Sequence, residues 1–261
     1  MMSNRLKLAL VQTNLFWENP IKNRDVFSKK INAIKQNVDL IILPEMFTTG
    51  FTMNPELLAE DMKGKTVSWM LEMAKSKKAA IVGSFVASEG SDYYNRLLFA
   101  HPNGNLDYYD KRHTFTLAGE NNVYKAGNKR VIVQYKGWKI CPLICYDLRF
   151  PVWSRNTEDY DILLYIANWP TPRISAWDSL LKARAIENMC YSVGVNRVGT
   201  DANKHDYSGH SACYNVLGEK ISNFKPHEED IQVVELSKNH ITSIREKLKF
   251  LEDRDRFNLI I

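Results

Sequence analysis

Short aliphatic segments that alternate with helix-forming ones constrain the fold of this 261-residue chain most strongly. Residues 38–44 and 162–167 are almost entirely apolar, and the first of these runs ends at a proline. Such brief runs are typical of strands that are buried on both faces of a sheet. Residues 66–77 and 175–188 are the clearest helix candidates, and in the first of them apolar residues recur at intervals of three and four. Alternating strands and helices predict an α/β fold.

The middle of the chain follows a different pattern. Residues 102–104 (PNG) are a strong turn signal between two strands of a hairpin, and Gly83 is expected to break the strand at residues 79–86. The other predicted strands are residues 6–12, 93–100, 105–110, 130–134, 138–145, 191–196, 212–216 and 232–236, and residues 23–36 have helical spacing. Together these elements predict a mixed sheet covered by helices.

The chain contains no linker rich in Pro, Gly or Ser and no internal repeat. We therefore predict a single domain over residues 1–261. Its last part, residues 237–261, is highly charged with scattered apolar residues. We expect this C-terminal tail to pack either on the body of the domain or on a partner subunit.

Composition excludes several classes of protein. Hydrophobic residues make up 44% of the chain and charged residues 25%, as in ordinary globular proteins. The formal charge of +5 is not concentrated in a basic block, so we expect no nucleic-acid partner, although a weak preference for anionic substrates stays open. No apolar run approaches the ~18 residues of a membrane span, and none is typical of a secretory leader, which predicts a cytoplasmic protein without membrane contact.

The four cysteines are Cys141, Cys145, Cys190 and Cys213. In the cytoplasm they are expected to be free thiols. No two of them have the C-x-x-C spacing of a zinc or redox site, so the sequence predicts no metal. Three are interpreted as core residues, and Cys145 has a further interpretation.

Glu45, Lys111 and Cys145 each stand at or just after the end of a predicted strand. Reactive groups in α/β proteins gather beyond the carboxyl ends of strands. Taken alone, each residue has an ordinary explanation, as a helix cap, a solvated ion pair and a small buried hydrophobic group. The hypothesis of a site rests on the three together.

These three residue types suit amide hydrolysis through a covalent intermediate. The Cys145 thiol would be the nucleophile, and Glu45 would accept its proton and return it to the leaving ammonia. A thiol becomes a usable thiolate beside a cation or a proton acceptor. The Lys111 ammonium and the backbone N–H of Tyr146 could stabilise the tetrahedral oxygen.

The motifs around these residues resemble those of the nitrilase superfamily of carbon–nitrogen hydrolases. The matching segments are residues 43–47 (LPEMF), 109–113 (YDKRH) and 144–151 (ICYDLRFP). The resemblance implies a four-layer α-β-β-α sandwich, a homodimer, a catalytic Glu-Lys-Cys triad, no cofactor and a thioester intermediate. It also implies that Glu120 orients the lysine and helps to activate water; the alternative for Glu120 is an exposed loop carboxylate.

Within the superfamily the chain resembles the omega-amidases, through residues 47–51 (FTTGF), 167–170 (ANWP) and 184–188 (RAIEN). This resemblance implies an anionic substrate, a 2-oxo acid that carries a terminal amide, such as 2-oxoglutaramate or 2-oxosuccinamate. Arg173 is the candidate for a carboxylate clamp, with Arg149 and Arg112 as rivals. The candidate pocket walls are Trp169, Phe47 and Phe115, with core packing as the alternative for the two phenylalanines.

Several alternatives stay open at this point. The chain could be another amidase, an N-carbamoyl hydrolase or, with less support, a nitrile hydrolase of the same superfamily. It could also be a catalytically silent binding protein, although none of the three catalytic residue types is missing. His113 and His210 could suggest a Cys–His enzyme, but we interpret both as hydrogen-bonded structural residues.

Overall fold

The computed structural model describes residues 4–260, which form two large sheets, one small hairpin and six α-helices. The strands are β1 (Arg5–Gln12), β2 (Leu40–Ile42), β3 (Ala80–Glu89), β4 (Asp92–Ala100), β5 (Leu106–Asp110), β6 (Val133–Tyr135), β7 (Trp138–Ile144), β8 (Ile162–Ala167), β9 (Tyr191–Asn196), β10 (Val198–Thr200), β11 (Asp206–Ser208), β12 (Ala212–Tyr214) and β13 (Asp230–Ser237). The helices are α1 (Pro20–Ala33), α2 (Pro55–Leu58), α3 (Lys65–Lys77), α4 (Pro151–Ser154), α5 (Ile174–Asn188) and α6 (Lys238–Leu248).

Both sheets are built around parallel strands. The first sheet has the order β13-β1-β2-β3-β4-β5, in which β1, β2 and β3 are parallel and the other neighbours are antiparallel. The second has the order β12-β9-β8-β7-β6, in which β7, β8 and β9 are parallel. The central strands β2 and β8 are buried along their whole length, which explains their continuous aliphatic sequence.

The two sheets pack face to face, and helices cover their outer faces. In β1, Leu6, Leu8 and Leu10 belong to the core shared with the second sheet, whereas Ala9 and Val11 belong to the core beneath α1 and α3. On the other side, α5 buries its apolar residues against β9 and β12. The predicted four-layer α-β-β-α sandwich is therefore confirmed.

The structure differs from the predicted elements at Gly83. This glycine lies inside β3 and does not break it, since the strand continues to Glu89. A Cβ atom at residue 83 would lie 2.8 Å from Cδ1 of Phe47, so the glycine makes room for this ring. The short hairpin of β10 and β11 was not predicted, because its residues are polar and lack an apolar pattern.

The C-terminal segment contains a helix that packs on the body of the domain. Ile241 of α6 is buried, and the Arg245 guanidinium donates hydrogen bonds to the backbone oxygens of Met189 (2.8 Å) and Tyr160 (2.6 Å). The single-domain bounds 1–261 include residues 1–3 and 261, which lie outside the described residues. Within residues 4–260, no helix has the length and apolar character that crossing a bilayer requires.

The strand directions explain where a site can form. Because β5 is antiparallel to β4, and β4 to β3, the carboxyl end of β5 lies at the same edge of the first sheet as that of β2. The segment with Glu45 follows β2, and Lys111 follows β5 directly. Cys145 directly follows β7 in the second sheet.

We predict that Gly194→Ala destabilises the fold by about 1–3 kcal/mol, because the added methyl group overpacks the core. A Cβ atom at residue 194 would lie 2.5 Å from Cδ1 of Leu181 and 2.7 Å from Cζ2 of Trp177, both on α5. Urea unfolding of the purified variant measures this loss. In the matched control, Leu181→Ala makes space for the new methyl group, so the double variant should lose less stability than the two single variants added together. Strict additivity would contradict this packing.

Candidate active site

Sharp backbone turns place both Glu45 and Cys145 at the ends of their strands. Cys145 has a φ of 44° and begins a 3-10 helix, Cys145–Arg149. Met46, which follows Glu45, also has a φ of 44°, and its N–H donates to Oγ of Ser84 at 2.8 Å. Residues other than glycine rarely adopt this left-handed conformation, and such local strain is often found at functional sites. The turn leaves Cys145 only partly buried, at the floor of a cavity.

Lys111 lies between two buried carboxylates. Its Nζ atom is 2.9 Å from Oε1 of Glu45, and 3.0 and 2.9 Å from the two carboxylate oxygens of Glu120. The three side chains are almost completely shielded from solvent. Burial alone would lower the pKa of the ammonium, but the negative charges of Glu120 and Glu45 outweigh this effect and raise the pKa above its ordinary value. Lys111 is therefore a fixed positive charge at neutral pH.

Backbone and amide donors hold the two carboxylates in place. Oε2 of Glu45 accepts from the backbone N–H of Asn168 at 2.8 Å, and the Asn168 side chain donates to the backbone oxygen of Glu45 at 2.6 Å. Oε2 of Glu120 accepts from the N–H of Phe115 at 2.5 Å. Burial, only partly offset by Lys111, raises the pKa of Glu120. Glu120 is a buried member of the cluster, and the alternative of an exposed loop carboxylate is wrong.

Asn95 is a member of the site that sequence reasoning missed. Its Nδ2 atom is 2.8 Å from Oε1 of Glu45 and 3.3 Å from Oε1 of Glu120, so one amide donates to both carboxylates. Asn95 lies on β4 just before a buried stretch, and it is itself buried. A polar residue at the edge of an apolar strand run is the signal that could have identified it.

The surroundings of Cys145 favour the neutral thiol over the thiolate. Burial raises its pKa well above the ordinary value, and the charges of Glu45 and Glu120 raise it further, while Lys111 acts in the opposite direction. Both groups that the sequence suggested for the thiol, the acceptor Glu45 and the cation Lys111, act on it, and they shift its pKa in opposite directions. Cys141, Cys190 and Cys213 are fully buried, and burial raises the pKa of Cys141 to about 12.

The two histidines considered from the sequence face other partners. Nδ1 of His113 is 2.7 Å from Oδ1 of Asp147, and Nδ1 of His210 is 2.9 Å from Oδ2 of Asp178. Both contacts fit hydrogen-bonded structural roles. In the part of the chain that the structure describes, no group of three or more His, Cys, Asp or Glu side chains is arranged to hold a metal ion.

A cavity of about 300 Å³ lies above the buried cluster. Its floor contains Glu45, Lys111 and Cys145, and aromatic side chains form much of its wall. Of the residues predicted for the walls or the oxyanion site, the structure places Trp169, Phe115 and Tyr146 at the cavity. The rings of Phe115 and Tyr146 are in contact, with centroids 4.9 Å apart.

Phe47 lies elsewhere, which corrects its assignment as a pocket wall. Its side chain is completely buried in the core beneath the outer helices, against Phe27 (ring centroids 5.4 Å apart) and Trp69 (5.5 Å). The strand preceding Glu45 is buried on both faces, and the chain turns at Met46, so the next side chain returns to the core. Core packing, the alternative weighed for Phe47, accounts for it.

Two arginines line the cavity without a counter-ion. The Arg173 guanidinium carbon lies 5.2 Å from the ring centroid of Phe115, and that of Arg149 lies 4.9 Å from the Trp169 ring. Within residues 4–260, neither guanidinium forms an ion pair. The rival Arg112 is directed elsewhere, because its Nη1 donates to the backbone oxygen of Gly127 at 3.3 Å and it is not a lining residue. These guanidinium groups are therefore free to bind a small anion in the same cavity as the Cys145 thiol.

Comparison with known proteins is consistent with this geometry. The family model for carbon-nitrogen hydrolases matches residues 7–246. The chain is 46% identical over 256 residues to the omega-amidase YafV of Escherichia coli (strain K12), covering 97% of this chain and 98% of that protein. It is 32% identical over 251 residues to a 2-oxoglutaramate amidase of Bacillus subtilis (strain 168), covering 94% and 96% respectively.

The fold has a close counterpart among solved structures. XC1258 from Xanthomonas campestris, described as a CN-hydrolase superfamily protein with an arsenic adduct in the active site, superimposes with a TM-score of 0.94. The two proteins are 42% identical, and the match covers 98% of this chain and 99% of that one. The family match spans most of the chain, and the relatives agree over nearly their full length. The protein is thus an enzyme that belongs to the carbon–nitrogen hydrolase family, within the nitrilase superfamily.

Proposed function

We propose that this enzyme is an omega-amidase, which hydrolyses the terminal amide of 2-oxo dicarboxylic acid monoamides to the 2-oxo acid and ammonia. 2-Oxoglutaramate and 2-oxosuccinamate are the proposed substrates. The single observation that carries the proposal is the pair of unpaired arginines, Arg149 and Arg173, in the cavity that has Cys145 on its floor. The names of the relatives from Escherichia coli and Bacillus subtilis support the same substrate class.

The first half of the proposed reaction forms a thioester. The Cys145 sulfur attacks the amide carbon while Glu45 takes the thiol proton, since burial and the neighbouring carboxylates favour the neutral thiol. The negative charge that develops on the amide oxygen is stabilised by the Lys111 ammonium and by the backbone N–H of Tyr146. Glu45 then returns the proton to the nitrogen, the carbon–nitrogen bond breaks, and ammonia leaves.

The second half releases the acid. A water molecule attacks the thioester carbon, a carboxylate accepts its proton, and the carbon–sulfur bond breaks to regenerate the Cys145 thiol. Glu45 is the proposed base, and Glu120 supports it by holding Lys111 through two hydrogen bonds of 3.0 and 2.9 Å. The pathway consumes one water and uses no cofactor or metal.

The substrate carboxylate has one favourable place in this cavity. The buried cluster of Glu45, Glu120 and Lys111 beneath the cavity holds two carboxylates and one ammonium, so a second anion is repelled from it and attracted to the guanidinium groups. A guanidinium can bind a carboxylate through two parallel hydrogen bonds. Arg173 is our candidate for this contact and Arg149 is its rival, while Phe115 and Trp169 form the apolar walls between the two ends of the substrate.

We further infer a cytoplasmic homodimer that acts on a small molecule and binds neither nucleic acid nor membrane. Exposed apolar residues on one surface support pairing: Ile186 on α5 is exposed, and it packs beside Gly218, next to the exposed Leu217. Light scattering of the purified protein checks the homodimer, and a monomer would contradict it.

The experiment that tests the function is an ammonia-release assay on the purified enzyme. We expect turnover of 2-oxoglutaramate and 2-oxosuccinamate that far exceeds turnover of an N-carbamoyl amino acid. Cys145→Ala should abolish turnover while the protein keeps its fold by circular dichroism, and intact mass should show a thioester adduct on the wild-type enzyme only. Turnover of the carbamoyl compound alone would favour an N-carbamoyl hydrolase, the second candidate from the sequence. Near-normal activity of Cys145→Ala would contradict the mechanism.

Replacing one arginine at a time identifies the carboxylate ligand. We expect Arg173→Met to weaken 2-oxoglutaramate binding by about 1.5–3 kcal/mol, the range for a hydrogen bond to a charged group, which corresponds to a KM raised by roughly 10- to 150-fold. The matched control is Arg149→Met, which removes the other unpaired guanidinium from the same cavity. An uncharged aliphatic amide serves as reference, and its kcat/KM should change little in either variant. If Arg149→Met alone raises KM, the assignments of the two arginines are exchanged.

A further inference from the structure

A hydrogen-bonded carboxylate lies directly behind the nucleophile. Asp147, two residues after Cys145, is completely buried and accepts four hydrogen bonds. The donors are the backbone N–H groups of Ile144 and His113, both at 3.0 Å, the His113 ring Nδ1 at 2.7 Å and the Tyr109 hydroxyl at 2.7 Å. The Asp147 carboxylate is thus fully shielded from bulk solvent and receives its hydrogen bonds from groups of the protein.

The donors come from two different sheets. Tyr109, near the end of β5, lies two residues before Lys111 in sequence, and His113 lies two residues after it. Both contact Asp147, so the chain that carries Lys111 is held by this carboxylate before and after the lysine. Ile144 is the last residue of β7 and directly precedes Cys145. One carboxylate therefore joins the strand end that presents the lysine to the strand end that presents the thiol.

The partners of Asp147 are themselves held in place. The His113 ring stacks on Phe150, with ring centroids 3.6 Å apart and an interplanar angle of 3°. The Tyr109 hydroxyl accepts hydrogen bonds from the indole of Trp153 and from the backbone N–H of Arg112, both at 3.1 Å. A network in which each member is fixed by neighbours can define atomic positions closely.

We propose that Asp147 and His113 are positioning residues, which hold the strained Cys145 turn in register with Lys111 and Glu45. Cys145 has a φ of 44°, a conformation that persists only where the surroundings fix it. The hydrogen bond from the backbone N–H of Ile144 to Asp147 lies at the start of this turn. In this role His113 does not touch the substrate, because its Nδ1 contacts Asp147 and it is not among the residues that line the cavity. The proposal rests on the proposed chemistry of Cys145.

Two variants of His113 test the proposal. Asn places a side-chain N–H close to where Nδ1 of His lies, so His113→Asn keeps a donor for Asp147, whereas His113→Ala removes it. We expect His113→Ala to lower kcat for 2-oxoglutaramate on the order of 10- to 100-fold with little change in KM, as for a misplaced reacting group. His113→Asn should recover most of this loss. The rate at which iodoacetamide alkylates Cys145 can be followed by mass spectrometry. We expect it to be highest in the wild-type enzyme, slightly lower in His113→Asn and lowest in His113→Ala.

A merely structural role would lower the melting temperature of His113→Ala without changing the kcat of the folded enzyme, and that result would overturn the proposal. Equal loss of kcat in the Ala and Asn variants would overturn it as well, because the hydrogen bond would then be irrelevant. If His113→Ala does not fold, Tyr109→Phe removes another donor to Asp147 and is expected to lower kcat in the same way; unchanged kcat there contradicts the proposal. Alkylation needs no substrate, so it separates failure of this proposal from failure of the proposed function.

Discussion

The buried ion pair of Lys111 with Glu45 and Glu120 is the interaction on which the rest of the site depends. One ammonium is shared by two carboxylates, all shielded from water, so the charges are held by direct contacts of 2.9 to 3.0 Å. Removing one partner of such a cluster would leave a buried charge without compensation. Together with burial, the excess of negative charge raises the pKa of the neighbouring thiol. In the proposed function it would also repel the anionic end of the substrate toward the arginines of the cavity.

The cluster also explains why the enzyme needs two sheets. Glu45 and Lys111 follow strands of the first sheet, whereas Cys145 follows β7 of the second. The distance between Glu45 and Cys145 is thus set by how the two sheets pack, and hydrogen bonds connect the sheets at the site. Asn168, which follows β8, bonds to Glu45, and Asp147 bonds to Tyr109 and His113. Preorganised contacts of this kind hold reacting groups in productive geometry.

Much of the fold could be predicted, because parallel strands in the centre of a sheet must be aliphatic on both faces. The strand before Glu45 and the strand at residues 162–167 were recognised for this reason. Helices α3 and α5 were also predicted, and α3 was recognised from apolar residues that recur at intervals of three and four. The errors have physical causes. Gly83 resembles a strand break in the sequence, but in the structure it leaves room for the Phe47 ring. A local sequence pattern does not show such a contact between distant segments.

The site was predictable only in part. The positions of Glu45, Lys111 and Cys145 at strand ends, together with the family motifs, were enough to predict that they lie together, and all three line one cavity. Two buried polar residues around them were not recognised, because their contacts join distant parts of the chain. Asn95 donates to Glu45, 50 positions away in sequence, and Asp147 contacts His113, 34 positions away. A pKa depends on distances and burial, so the raised pKa of the Cys145 thiol could not be derived from sequence.

We propose that burial and the carboxylates around Lys111 keep Cys145 as a neutral thiol until Glu45 takes its proton. The most direct measurement is the ultraviolet absorbance of thiolate as a function of pH, taken as the difference between the wild-type enzyme and Cys145→Ala. The difference removes any signal from the other three cysteines, which are buried in the core. The account predicts no difference signal at neutral pH and a rise only above the ordinary thiol pKa of 9.0. A full thiolate signal at neutral pH, lost in Cys145→Ala, would contradict it.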